Sequence, residues 1–337
     1  MNEKNVEQLM SVPEAPVDSE RALARIRERI ERERVRPASV ALSVGARGDR
    51  SLVALWVKGL AAAASVALVA VLLTASGLAE TIITIFEPKQ VVAVPITTGD
   101  LMSTAGFARY GTLTWSVPPK PYDVPDLATA KSESGLSVLV PAHIPAGVNV
   151  AARYGVMPRT TATFTFSADL TRQSAASVGR TPPPMPANID GSKLFVTGGP
   201  AVVQLFTNSA APAASTGATP MGDLPALVVA QGKGPTVQSD GVTVDQLQQY
   251  LLSQPGISPT LAAQIKAIKD PSSTLPIPIP VNMATSKSIT VQGVQGIFVG
   301  DSTGLGSAVI WSKDGMVFGV AGTLTEAEIL AVANSLH

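Results

Sequence analysis

From Gly59 to Ala79 the chain reads GLAAAASVALVAVLLTASGLA, 21 residues without a charge. As a helix this run is about 31 Å long at ~1.5 Å per residue, the thickness of a bilayer's hydrocarbon core. Trp56 and Lys58 stand at one end, where an amphipathic ring and a snorkelling amine are stable. Glu80 closes the other end, and TIITIF is expected to carry the helix on toward Phe86, with Pro88 stopping it. The pattern predicts a transmembrane helix over 51–86, core 59–79. A buried helix of a soluble domain is the competing reading. A cleaved signal peptide fits poorly, because a long polar stretch precedes the run.

The flanking charges give this span a direction. Arg47, Arg50 and Lys58 precede it, whereas Lys89 stands among Glu80 and Glu87 beyond it. The positive-inside rule then predicts a single-pass protein of the plasma membrane. Its N-terminus is inside, and the domain from about 81 onward is extracytoplasmic.

Residues 1–50 form the expected cytoplasmic arm. Within it, Leu23, Ile26 and Ile30 recur at helical spacing behind the caps Asp18 or Ser19, and Pro37 ends the pattern. A helix over about 19–35 is expected, with a narrow apolar stripe. It reads either as a solvated helix or as a docking helix for a cytosolic regulator. A third reading holds it against an anionic inner leaflet, which its nearly equal acidic count disfavours.

Beyond the span, 28 glycines and 27 prolines point to turn-rich β structure. Residues 87–135 read as a Pro-rich linker with edge strands, and 136–337 as an extracytoplasmic α+β domain. In that domain GLSVLVPAHIPAGVNVAARYGV reads as strand, proline turn, strand. TATFTFSA alternates like a half-buried strand. SKLFVTGG and PAVVQLF read as a hairpin pair. Helices are expected after Ser167, across Val244, Leu247 and Leu251, and after Ser258-Pro259. A last helix follows Thr325, with Glu328 at capping-box spacing and Ile329, Val332, Ala333 and Leu336 facing inward. Lys313-Asp314-Gly315 is expected to turn the last two strands. The fold class expected is α+β: an N-terminal cytoplasmic helix, one transmembrane helix, then a mostly antiparallel twisted sheet with three or four helices.

Chemistry is sparse. Gly-Asp-Ser at 300–302 resembles the nucleophile motif of one large lipase and esterase family. Those hydrolases place it near the start of the domain and supply the base from a later Asp-x-x-His. Here the histidines are His143 and His337, and Asn334 stands three residues before His337, so the base is missing for Ser302. Gly300, Gly304 and Gly306 read instead as turn residues needing positive φ. Asp190, Asp240, Asp301 and Asp314 each sit beside glycine, as turn residues do. Cysteine is absent and formal net charge is zero. These features exclude disulfides, thiolate zinc sites and cysteine nucleophiles, and give no footprint for nucleic acid. No catalytic, cofactor-binding or metal residue is assigned.

Two stretches carry a family resemblance: VPAHIPAGV at 140–148, and AVIWSKDGMVFGVAGTLTEAEILAVANSL near the C-terminus. Their order resembles the start and end of an extracytoplasmic domain of unknown function in bacterial proteins related to anti-sigma factors. That domain is similar to the outer-membrane lipoprotein carrier and the sigma-E regulator sensor. The resemblance implies a half-barrel-like curved sheet closed by helices over an apolar hollow. The zinc-type His-x-x-x-Cys-x-x-Cys motif of such factors is missing from residues 1–50. The expected function is therefore non-enzymatic: a single-pass membrane protein whose outer domain binds an apolar ligand, lipid or partner. On this reading it serves as an anti-sigma-like envelope sensor or regulator acting through residues 19–35. The alternative is a structural or envelope-assembly protein handling lipid or lipoproteins. The expected partners are the lipid bilayer, a cytosolic regulator and an apolar ligand, with no nucleic acid and no cofactor.

Overall fold

A computed structural model describes residues 82–97, 109–177, 179–208, 225–254, 258–301, 304 and 306–337. The expected arm helix (about 19–35) and the apolar core 59–79 lie outside these residues.

The described chain is mostly antiparallel sheet, in three sheets rather than one. The largest has eight antiparallel strands. They run, in spatial order, β12 (Ala284–Val291), β13 (Val294–Asp301), β14 (Ser307–Lys313), β15 (Met316–Gly322), β9 (Leu227–Lys233), β8 (Ala201–Asn208), β5 (Val148–Met157) and β4 (Tyr122–Val124). A second sheet orders β1 (Ile83–Phe86), β10 (Thr236–Ser239), β7 (Lys193–Gly198), β6 (Thr160–Phe166) and β3 (Gly111–Val117). The third is a parallel pair, β2 (Gln90–Ile96) with β11 (Thr274–Pro280).

Two tight hairpins shape one end of the large sheet. Gln292-Gly293 joins β12 to β13, and Asp314-Gly315 joins β14 to β15. All four residues have positive φ, between 49° and 79°. That is the signature of two-residue type I′ turns, whose twist matches that of the strands they connect.

Among the described residues there are five helices: α1 (Leu127–Ser134), α2 (Ala168–Ala176), α3 (Val244–Leu252), α4 (Pro259–Lys266) and α5 (Glu326–Asn334). Ser167, Ser258 and Thr325 cap α2, α4 and α5 as expected, and Glu328 completes the capping box. α1 falls where only linker and edge strands were expected. Its sequence LATAKSES has no apolar stripe, and only Ala130 and Ser134 are buried, so periodicity could not reveal it. Its caps carry the signal instead: the Asp126 carboxylate accepts the Thr129 N–H, and Gly135 closes the helix in the left-handed conformation.

The large sheet is covered on both faces. On one, Trp311, Phe318, Val320 and Val229 pack with Ile329, Val332 and Ala333 of α5. On the other, Ile297, Val299 and Ile310 join a core built from β2, the five-stranded sheet, α3 and α4.

Each helix is only eight or nine residues, about 12–14 Å at ~1.5 Å per residue, whereas a span needs ~20 residues. Among the described residues no helix is long and apolar enough to cross a membrane. The single-pass placement in the plasma membrane, N-terminus inside and C-terminal domain extracytoplasmic, is therefore not supported. The proposed extension of the span to residue 86 fails directly. Ile83–Phe86 is a strand paired with β10, and its Ile85 and Phe86 sit in the core. The β-branched Ile-Thr alternation of this piece suits a pleated strand better than a helix.

The expected hairpin of SKLFVTGG and PAVVQLF is also absent. β7 and β8 follow one another through Gly199-Pro200 but enter different sheets. The stretch before VPAHIP is not a strand. It is irregular, with a tight Val138 N–H to Leu136 O contact, and the chain meets the C-terminus from Val140 on, through paired bonds with His337 and the Pro141–Leu336 bridge.

Candidate binding groove

The segment after α1 crosses the α5-covered face of the large sheet, and buried glutamines hold it there. Gln204 of β8 and Gln231 of β9 lie diagonally on one face, at 0% and 2% exposure. Both side-chain amides donate to the Leu139 carbonyl at 2.7 Å. Gln231 Oε1 also accepts the Leu139 N–H at 2.9 Å. In a buried setting such bonds are needed, because an unmet polar group costs about 1–3 kcal/mol. Further along, Val140 exchanges backbone bonds with His337, and Ala142 N–H donates to Ser335 O.

A second set of bonds ties the β12–β13 turn to the end of α5. Gln292 Nε2 donates to the carbonyls of Ala333 and Leu336 at 3.1 and 3.2 Å. Gln292 N–H donates to Asn334 Oδ1 at 2.8 Å. The Lys313 ammonium donates to the Gln292 carbonyl at 3.2 Å.

Between these two anchored segments lies an open groove of about 650 Å³. Its apolar lining comes from Leu136, Leu139, Met316, Phe318 and Leu336, and its polar rim includes Lys233, Lys313, Gln292 and Asn334. Asp314 is the one acid in the lining, against two lysines. The volume falls in the range of small-molecule sites, about 300–1,000 Å³. An apolar floor with an ammonium at the margin suits a chain of hydrocarbon ending in an anion.

Ser302 lies outside the described residues. Around it, Asp301 N–H donates to Gly306 O at 2.9 Å and Gly304 N–H to Asp301 O at 3.3 Å, which closes the β13–β14 connection. Of the three glycines expected at positive φ, only Gly304 is (72°). Gly300 is part of β13, and a Cβ at Gly306 would sit 2.9 Å from Asp301 Oδ2, the movable end of that side chain.

His143 and His337, 194 positions apart in sequence, meet at Ser335. The His143 N–H donates to Ser335 Oγ at 3.1 Å, and His337 Nδ1 lies 3.3 Å from Ser335 O. Both rings are exposed. Asp190 and Asp240 act in turns, accepting the N–H groups of Ala168 and Lys193. Among the described residues no three His, Cys, Asp or Glu gather as a metal site would require.

The sequence places Lys313 and Asp314 in a turn and Leu336 on the inner face of the last helix, but marks no groove residue as part of a site. The signal available was a glutamine in each of two otherwise apolar strands, AVVQLF and LVVAQG. A polar side chain in a buried strand usually marks a hydrogen-bonded contact across the face it points to.

No family model, no curated protein and no solved structure matches this chain.

Proposed function

We propose that this chain is a non-enzymatic binding protein and that its groove takes a small amphiphile, a hydrocarbon chain ending in a carboxylate. The observation that carries this reading is the juxtaposition of Leu136, Leu139, Met316, Phe318 and Leu336 with Lys233 and Lys313 around one space of about 650 Å³. Contact with the hydrocarbon removes apolar area from water at roughly 25 cal/mol per Å². The ammonium groups orient the head by charge-assisted hydrogen bonds. The walls are held in place before binding by the Leu139 and Gln292 bonds, which lowers the ordering cost of association.

The test is calorimetric titration of the full chain with laurate below its micelle concentration. Saturable one-site binding is expected, with dodecanol binding more weakly for lack of a charge. Changing Lys233 and Lys313 together to Glu is expected to weaken laurate at least ~10-fold, the equivalent of ~1.4 kcal/mol, and to leave dodecanol nearly unchanged. Absence of laurate binding, or equal loss for both probes, contradicts the reading.

A further inference from the structure

The five-stranded sheet ends on β3, which pairs only with β6 among the described residues. The apolar face of this sheet does not stop at the core. On β6, Ala162, Phe164 and Phe166 are buried on one face while the threonines between them face away. The β3 register places Leu113 opposite Phe164 and Trp115 opposite Ala162, so both continue that apolar face. Yet Leu113 is 37% and Trp115 43% exposed, and every residue from Thr112 to Val117 is exposed.

Edge strands are ordinarily blunted by charge, by proline or by a bulge. β3 has neither a charge nor a proline in GTLTWSV, and Pro118 comes only after it. A bulge is present, but at its far end, between Trp115 and Val117. Thr112–Trp115 is left as a regular, neutral, half-apolar ladder edge.

We propose that this edge joins two copies of the chain, β3 to β3, antiparallel about a two-fold axis at Thr114. The occupant is a second copy because the strand is complementary to itself. Centred on Thr114, antiparallel pairing sets Leu113 of each copy against Trp115 of the other on the apolar face. It sets Thr112 against Ser116 on the polar one. No like charges meet, and the contact is isologous, so it closes as a dimer and does not propagate. The two five-stranded sheets become one of ten strands. A single strand pair buries less than the ~1,200–2,000 Å² of a standard interface, so the dimer dissociates on dilution. This inference goes beyond the groove and does not rest on it.

The absence of cysteine makes a register test direct. In the paired dimer the two Thr114 Cα atoms stand about 4.5–5.5 Å apart, within disulfide reach. The two Ser116 Cα atoms are four residues out of register, roughly 13 Å apart. Full-length T114C and S116C are oxidised with copper-phenanthroline and resolved by non-reducing electrophoresis. T114C is expected to run mostly at twice the monomer mass, and S116C to remain monomeric. In parallel, light scattering of the unsubstituted chain should show a mass rising toward the dimer with concentration. W115K is expected to abolish that rise with an unchanged circular dichroism spectrum. Equal cross-linking of the two cysteine variants, or none in either, overturns the proposal. A dimer that W115K leaves intact overturns it too, and so does a chain that stays monomeric at every concentration.

Discussion

The Gln231 side chain both accepts from and donates to the Leu139 backbone, at 2.9 and 2.7 Å. Its amide thus stands in for the neighbouring strand that this segment lacks. Q231L keeps the volume and removes both bonds, leaving the part-buried Leu139 N–H without its acceptor. A loss of about 1–3 kcal/mol is expected, read as a lower midpoint in urea with an unchanged slope. A shift below a few tenths of a kcal/mol would mean the bond pair does not hold the segment.

The β14–β15 ladder sets Trp311 against Phe318, and their rings stack with centroids 5.2 Å apart and planes 12° from parallel. Both are buried beneath α5. W311A removes the largest fully buried side chain among the described residues and is expected to cost about 3–5 kcal/mol. W311F, which keeps a stacked ring, is expected to cost clearly less. Thermal unfolding of the two variants side by side measures the difference.

Gly315 turns the β14–β15 hairpin at φ 73°, and Asp314 before it at φ 53°. G315V places a β-branched residue in the left-handed region and is expected to destabilise by more than ~1 kcal/mol. D314N keeps a side chain that tolerates this conformation and is expected to be neutral or slightly stabilising. Equal effects of the two changes in a urea titration would show that the turn does not require positive φ.

Several carboxylates are held below their ordinary range. The Thr129 N–H beside Asp126, the Ser273 and Ser272 hydroxyls beside Asp270, and the Thr325 hydroxyl beside Glu328 each favour the ionised form. A depressed folded pKa contributes stability that is present above the unfolded value and lost as pH falls through the folded one. Stability is therefore expected to hold from neutrality down to about pH 4, the range of free carboxylates, and to decline below it. Tyr250 and Tyr110 behave oppositely: burial raises both, so their contribution is complete below about pH 10 and lost above it. Denaturation midpoints measured from pH 3 to 11 should give a plateau with both shoulders. A curve still rising as pH drops below 4 would contradict these assignments.

Local chemistry was the most legible part of this sequence. TATFTF alternates, and β6 is buried at every second residue. Ser167, Ser258-Pro259 and the Thr325–Glu328 box mark helix starts because their side chains meet N–H groups that the helix cannot. Long-range pairing was not legible. β11 joins β2 in parallel across more than 180 residues, from a segment, TLPIPIP, whose prolines argue against a strand. Alternate placement resolves the conflict: Pro276, Pro278 and Pro280 withdraw donors from one side only, leaving the amides of Leu275, Ile277 and Ile279 for β2. Hydropathy misled at residues 82–86, because a buried strand and the end of an apolar helix share the same composition. The groove escaped notice because its walls come from five separated stretches, near positions 136, 233, 292, 315 and 335.

An anionic amphiphile lying along Leu139 with its head near the lysine rim is detectable by paramagnetic relaxation. The full chain, methyl-labelled at Leu and Met, is titrated with doxyl-labelled stearate. Selective broadening of Leu136, Leu139, Met316 and Leu336, with Leu261 and Leu247 in the opposite core unaffected, is the predicted result. Uniform broadening, or broadening confined to methyls away from the groove, would contradict it.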